Sequence, residues 1–387
     1  MRIAILSTCV YRELKEINGK DRVVYDGGAR YLLELCHYLQ SKGHHVSVYQ
    51  PILEQYTTDQ TGKKVRINCG QIEKNFYGIP VICLPNVDDW SKYQTNHNLN
   101  RVFNEISIYF DLRIYFTTFL AYPHIVRPAI TICHGIFWDY PAGVLGPMTE
   151  HEKREYTRRQ LYGFTAPDAC VAVDSNVRRV IAAMSPGSES RIYVVNNFVD
   201  TDKFTPAKKT WEGTNVLFPR RLTEFRGHNE FIKASMSLPQ YNFLGVGQAG
   251  EESLEKNTSS WCETKQNIKF ISREPEKMPE VYQGADIAVI PTRSNEGLAL
   301  GLLESMSCGL PVITTFAGGL GDAVINGYNA LMYDPNHNDL TVCIGLLAND
   351  MFARSKFGYR NREIAVECFD IKIWHERWKN LLRGFGA

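Results

Sequence analysis

Apolar residues fall along this chain in two recurring patterns. Short continuous runs of valine, isoleucine and leucine are bounded by polar turns, and between them lie longer stretches whose apolar positions recur every three or four residues. The runs read as strands covered on both faces and the stretches as helices, and their alternation predicts two α/β units built on mainly parallel sheets. In the first half, Ile3 to Leu6 predicts a strand, and the polar loop after it ends in Asp26, Gly27 and Gly28. A helix follows with Leu32, Leu35, Cys36 and Leu39 on one face, stopping at Gly43, where glycine suits a C-terminal cap. Further strands are predicted at Val46 to Tyr49, Val81 to Leu84, Leu112 to Phe116, Ala129 to Cys133 and Ala169 to Val173.

A Pro/Gly/Ser cluster from Ser185 to Ser190 marks a boundary. The second half is read as opening with Ile192 to Val195. It continues through strands at Val216 to Phe218, Asn242 to Leu244, Ile268 to Ile271, Ile287 to Ile290 and Val312 to Thr314. The closing stretch, Ile371 to Phe385, places Ile373, Trp374, Trp378, Leu381 and Leu382 at mixed helical spacing. No short repeat or low-complexity tract interrupts the pattern.

Composition narrows the class. A chain of 387 residues exceeds one ordinary core and suits two domains. Hydrophobic residues at 44% and charged residues at 22% give a globular balance, and a net charge of +1 supplies no electrostatic reason to expect nucleic acid as the partner. Ten cysteines (Cys9, Cys36, Cys69, Cys83, Cys133, Cys170, Cys262, Cys308, Cys343 and Cys368) form neither a CxxC pair nor a metal-type spacing, so reduced thiols in the cytoplasm are expected. The apolar run at Met1 is too short for a signal peptide, and the apolar stretch from Ile106 to Val126 carries Asp111, Arg113 and Pro123, against a spanning helix. Membrane contact would be peripheral, at the inner face. Lys153, Arg154, Arg158 and Arg159 are diluted by Glu150, Glu152 and Glu155, which reads as a solvated helix face, with anionic lipid as the alternative partner.

The segment from Asn295 to Glu304 carries the most chemistry. Read as a loop entering a helix, it sets Glu296 at the helix entrance and Glu304 about two turns deeper, roughly 12 Å along the axis and within about 80° around it. The N–H groups of the helix start suit a phosphate between the two carboxylates, so a nucleotide sugar fits the spacing. The bland reading is a dipole-favoured Glu296 and a surface Glu304. Gly27 and Gly28 let backbone approach a diphosphate at another helix start, or simply make a tight turn. His134 stands at the carboxyl end of a predicted parallel strand, where open sheets place ligands. Arg221 and Arg226 share a loop and could neutralise a departing diphosphate, or be solvated surface cations.

Two decoys are set aside. The glycines at Gly245, Gly247 and Gly250 match a dinucleotide fingerprint, but Glu251 to Ser260 lacks the apolar face of the helix that motif requires. Asp88 and Asp89 have no further metal ligands nearby and read as a solvated loop.

Together and in this order, several motifs resemble family 4 of the GT-B glycosyltransferases. They are Gly27-Gly28 with its helix, His134, Asn197 to Asp200, Arg221 to Gly227, Met278 to Asp286, Pro291-Thr292, the Glu296 to Glu304 spacing, and Gly318-Gly319. Three positions depart from the family pattern: Arg220 stands where glycine usually precedes the arginine, Arg226 where lysine is usual, and Ala299 where glycine is common. The resemblance implies two Rossmann-like domains facing across a cleft: residues 1–188 on the acceptor side, 189–368 on the donor side, and 369–387 packing back on the first domain. It implies retaining glycosyl transfer from a nucleotide-diphosphate sugar to a glycan, lipid-linked or small-molecule hydroxyl, in glycan or polysaccharide biosynthesis. No metal or cofactor is expected, and a UDP-sugar is the first donor to consider.

By the same resemblance, Glu296 contacts donor-sugar hydroxyls, Glu304 the ribose, and backbone at Leu298, Ala299 and Leu300 the sugar and phosphate. Gly28 contacts phosphate, His134 the donor sugar, Arg221 and Arg226 the diphosphate, and Glu274 belongs to the segment lining the base. The alternatives are a nucleotide-sugar epimerase of the same fold, a non-catalytic relative, and a glycoside hydrolase, the last disfavoured by the long carboxylate separation.

Overall fold

Strands covered on both faces must be apolar throughout, and Ile3, Ala4, Ile5 and Leu6 are each fully buried. The computed structural model describes residues 1–8, 13–15, 21–23, 27–51, 56–58, 64–66, 72–84, 94–136, 149–208, 211–247, 266–337 and 339–386. The first half runs β1 (Arg2–Leu6), β2 (Glu13–Lys15), β3 (Asp21–Val23), α1 (Gly27–Ser41), β4 (His45–Pro51), β5 (Tyr56–Thr58), β6 (Lys64–Arg66), β7 (Ile72–Phe76) and β8 (Ile79–Leu84). It continues with α2 (Gln94–Ile106), β9 (Leu112–Tyr115), β10 (Ala129–Cys133), α3 (Glu150–Thr165), β11 (Ala169–Ala172), α4 (Ser175–Met184) and β12 (Ile192–Val194). The second half runs β13 (Asn215–Phe218), α5 (His228–Ser237), β14 (Asn242–Val246), β15 (Ile268–Ile271), α6 (Met278–Gly284), β16 (Ile287–Ile290) and α7 (Leu300–Ser307). Then come β17 (Val312–Thr315), β18 (Ala330–Tyr333), α8 (Leu340–Asn349), α9 (Met351–Cys368) and α10 (Ile371–Arg383).

The first sheet has the order β12-β11-β10-β9-β1-β4-β8-β7, and the second β15-β14-β13-β16-β17-β18. All their pairings are parallel except β7 with β8. Register is set by the central strands: Ile3 lies opposite both Val46 and Leu112. In each sheet the strand order reverses beside the first strand, at β1 and at β13, which is where open α/β sheets leave a crevice at the carboxyl ends.

β12 corrects the expected division. Cys170 pairs with Ile192 and Ala172 with Val194, so the run read as opening the second half is the edge strand of the first sheet, and residues 189–194 do not belong to the second domain. The chain crosses after Val194. It crosses back beside itself, for Val199 N–H donates to Phe369 and Ile371 N–H donates to Val199, at 2.9 and 3.0 Å.

α10 returns to the first domain because its apolar residues sit at helical spacing. Trp374, Trp378, Leu381 and Leu382 lie in the same core as Leu32, Leu35 and Leu39 of α1. The Trp378 indole N–H donates to the Tyr31 hydroxyl at 3.2 Å, and the Trp374 ring meets Tyr31 edge-on at 5.2 Å. No helix among the described residues is long and apolar enough to cross a membrane.

Candidate active site at the domain seam

Strand β16 delivers the key loop. Its four residues are buried, and beyond it Thr292 is fixed to β17 by the Thr315 hydroxyl, which accepts from Thr292 N–H at 3.0 Å and donates to its carbonyl at 2.6 Å. Residues 295–297 then run as a short extended segment against the first domain. Ile136 N–H donates to the Asn295 carbonyl at 3.0 Å, and Gly297 N–H donates to the His134 carbonyl at 2.9 Å. On the other side Gly319 N–H donates to the Glu296 carbonyl at 2.9 Å, and Asn197 donates to the Leu298 carbonyl at 2.5 Å. A side chain at Gly297 would stand 2.5 Å from Val173 and 2.6 Å from the His134 carbonyl. Only glycine allows that approach.

This geometry corrects the picture of Glu296 at a helix entrance. α7 begins at Leu300 with Ala299 as its cap, so Glu296 precedes the helix and belongs to the bridge with Gly135. The eight-step helical spacing between Glu296 and Glu304 does not apply. Hydrogen bonds to the other domain hold residues 295–297 extended, and no local rule could have supplied those partners.

Glu296 is buried, and two arginines hold it. Arg220 pairs with one carboxylate oxygen and anchors its other arm on the Pro291 carbonyl at 2.5 Å. Arg226 donates through Nε and Nη2 to the second oxygen, both at 3.2 Å. Burial pushes the Glu296 carboxyl up, but the charges and hydrogen bonds of Arg220 and Arg226 outweigh it and hold it below the usual carboxylate range. The cluster therefore carries an excess of one positive charge and an ionised carboxylate that is fully engaged.

Arg221 is exposed, whereas the adjacent Arg220 is buried and reaches Glu296. Sequence reasoning missed Arg220. The two arginines follow the end of β13 in a loop, and which of them faces inward depends on the second domain's packing. One decoy glycine, Gly247, bears on the same loop. A side chain at Gly247 would stand 2.2 Å from the Arg220 carbonyl, so this glycine is a backbone-packing residue. The segment Glu251 to Ser260 and the pair Asp88-Asp89 lie outside the described residues.

Glu304 lies in α7 and is 3% exposed. The Tyr282 hydroxyl donates to its Oε2 at 2.6 Å, and the Arg30 guanidinium of α1 approaches Oε1 at 2.5 Å from the first domain. Tyr282 entered the sequence reading only as part of Met278 to Asp286, without a role, and Arg30 not at all; the signal available was Arg30's place in the first turn after the glycine pair. The helix starts converge here, since a side chain added at Gly27 would meet the Leu300 side chain at 3.6 Å. Gly28 sits at this start of α1, half-buried. Two positive helix ends thus face each other across the seam.

His134 is the residue after β10, half-buried, its ring 4.5 Å from Phe116 and 5.2 Å from Tyr31. Leu298 is buried, and Ala299 and Leu300 are half-buried at the start of α7. Glu274 is exposed after β15, where its carbonyl accepts from Lys277 N–H at 3.0 Å.

A second link closes the seam. Ser175 N–H donates to Asp322 at 2.7 Å, and Asn196 donates to the same carboxylate at 2.8 Å. Beside it Asp174 is 1% exposed, capping α4 through Val177 N–H at 3.0 Å while its second oxygen has no hydrogen-bond partner among the described residues. Burial pushes the Asp174 carboxyl up to about 6, opposed by the hydrogen bond from Val177 and reinforced by Asp322.

Residues 25–203 match the model described as Glycosyltransferase Family 4, and residues 201–364 match Glycosyl transferases group 1. The chain belongs to family 4 of the GT-B glycosyltransferases. Among curated relatives, mannosylfructose-phosphate synthase of Agrobacterium fabrum is 25% identical over 376 residues, covering 86% of this chain and 80% of the relative. A D-inositol 3-phosphate glycosyltransferase of Corynebacterium jeikeium is 28% identical over 238 residues, 55% of this chain and 56% of that protein. A GDP-mannose-dependent phosphatidylinositol monomannoside mannosyltransferase of Corynebacterium glutamicum is 27% identical over 208 residues, 48% of this chain and 54% of that protein. The chain thus spans about half the length of several curated relatives it matches. In fold, sucrose-phosphate synthase from Thermosynechococcus elongatus matches with a TM-score of 0.76 at 16% identity, over 100% of this chain and 99% of that one. Anabaena HepE, solved with UDP-glucose, matches at 0.71 and 17% identity over 99% and 100%. The GT-B fold with two parallel-sheet domains is common to this family 4 chain and those structures.

Proposed function

We propose that this protein transfers a sugar from a nucleotide-diphosphate donor to a hydroxyl acceptor, with retention at the anomeric carbon and without a metal. The observation that carries the reading is the juxtaposition at the seam: an ionised Glu296 under Arg220 and Arg226, next to two facing helix starts. A diphosphate is the ligand that suits such a concentration of positive poles. Preorganised cations stabilise charge that grows on a departing diphosphate, and this is the role assigned to Arg226, with Arg220 and Arg221 beside it. Glu296 has both oxygens engaged and is a positioning group for donor hydroxyls, not a nucleophile. Glu304 is the ribose contact, Gly28 and the backbone at Leu298 to Leu300 the phosphate and sugar contacts, and His134 a hydrogen-bonding group near the sugar. A departing phosphate oxygen takes the acceptor's proton on the same face.

Glu274 is assigned to the base site on resemblance alone. The acceptor is a glycan, a lipid-linked sugar or a small polyol phosphate, and the reaction is placed in the cytoplasm or at the inner face of the membrane. UDP-sugars remain the first donors to test, with GDP-mannose beside them because the corynebacterial mannosyltransferase is named for it.

The test is a thermal-shift screen against UDP-, GDP-, dTDP- and ADP-sugars, followed by turnover of the donor that stabilises the fold. Nucleotide diphosphate release that depends on an added acceptor supports transfer. Conversion of the donor to its epimer without acceptor would replace it with the epimerase reading.

A further inference from the structure

Glu304 is occupied in a way its proposed ribose role does not require. A nearly buried carboxylate is costly without a charged partner, and here that partner comes from the opposite domain: Arg30, 29% exposed, 2.5 Å from Oε1. Tyr282 takes Oε2 at 2.6 Å. A ribose can displace the guanidinium with its two hydroxyls, but this exchange leaves a cation without its anion. A diphosphate at the adjoining helix starts would supply the missing anion, because Arg30 lies in the first turn of α1, whose Gly27 abuts Leu300.

Resting on the nucleotide-site reading above, we propose that Arg30 is a binding and specificity residue that exchanges Glu304 for the donor diphosphate, so that the ribose subsite opens efficiently only to ligands carrying both groups. The exchange needs a side-chain rotation and no movement of α1. Its neighbour Tyr31 is fully packed, held by Trp378 at 3.2 Å and by the Trp374 ring, so the backbone beneath Arg30 is anchored. Arginine suits both partners, since its planar fork matches carboxylate and phosphate alike.

The test measures binding of UDP, GDP, dTDP and ADP and of the four matching nucleosides by titration calorimetry to the wild type, Arg30→Gln and Arg30→Lys. For the base that binds, Arg30→Gln is expected to weaken the diphosphate about tenfold while the nucleoside binds as well or better, so the diphosphate-to-nucleoside preference falls by about tenfold or more. Arg30→Lys keeps the charge and is expected to retain an intermediate preference, which guards against misreading a folding defect. A preference unchanged within about twofold in both variants overturns the exchange while leaving the nucleotide site standing. No binding of any of the four diphosphates to the wild type overturns the exchange and the nucleotide-site reading together.

Discussion

Tyr282 donates its hydroxyl to Glu304 over 2.6 Å, tying α6 to α7 inside the second domain. Both groups are buried, and burial with the neighbouring Glu304 charge drives the Tyr282 phenol well above its ordinary range, so it is a permanent donor. Tyr282→Phe removes one hydrogen bond and leaves Glu304 less satisfied. The expected cost is about 1–3 kcal/mol, read as a lower urea midpoint at unchanged slope.

Asp174 gives the seam a pH dependence of defined sign. Its folded pKa, about 6, lies above the usual value for aspartate. The folded state therefore holds the proton more tightly, and the penalty of the buried charge is present above pH 6 and relieved as pH falls through it. Asp174→Asn keeps a cap for α4 and removes the charge. It is expected to stabilise the protein at pH 8 by up to about 3 kcal/mol, with the advantage shrinking towards pH 5. Denaturant curves at the two pH values check this; an advantage equal at both would count against the buried charge.

Glu296 behaves oppositely. Its folded pKa is depressed by Arg220 and Arg226, so the stability from that pairing is present above the unfolded value of about 4.3 and is lost as pH falls below it. An acid titration of the melting temperature should show part of the acid loss missing in an Arg226→Met variant.

The two candidate leaving-group arginines separate by exposure. Arg226→Ala removes a contact to Glu296 and a proposed diphosphate contact, and is expected to lower kcat by about 100-fold or more with a folded protein. Arg221→Ala, at the exposed neighbour position, is expected to raise the donor KM with a smaller effect on kcat. Initial-rate kinetics with the donor found by the screen compare them.

Trp374 is 2% exposed and packs on Tyr31 and on Phe198, with ring centres 5.2 and 4.6 Å apart. Trp374→Ala is expected to cost about 3–5 kcal/mol, since it opens a cavity between α10 and α1. Thermal unfolding measures it.

Much of the fold was legible because it depends on local pattern. The runs at Ile3 to Leu6 and Ile287 to Ile290, and the face made by Leu32, Leu35, Cys36 and Leu39, show burial through their own residue types. What failed was choice of partner. Ile192 to Val194 is a good strand in either sheet, and only its pairing with Cys170 to Ala172 decides which. The residues around Glu296 have helix-compatible identities, yet bonds to His134 and Ile136 hold them extended. Arg220 and Arg221 are chemically alike, and the packing of Gly247 under the Arg220 carbonyl belongs to the arrangement that sets which one turns inward.

The sequence by itself determined the alternation of strands and helices through short-range periodicity, the two-domain size through chain length, and the family resemblance through motifs in a fixed order. Tertiary structure alone decided where the domains divide, where α7 begins, and which cations meet which carboxylates. Those outcomes depend on contacts between segments far apart in the chain: Arg220 with Glu296, Arg30 with Glu304, and Gly297 with His134. The energy of such contacts comes from burial and charge pairing that no local window of residues contains.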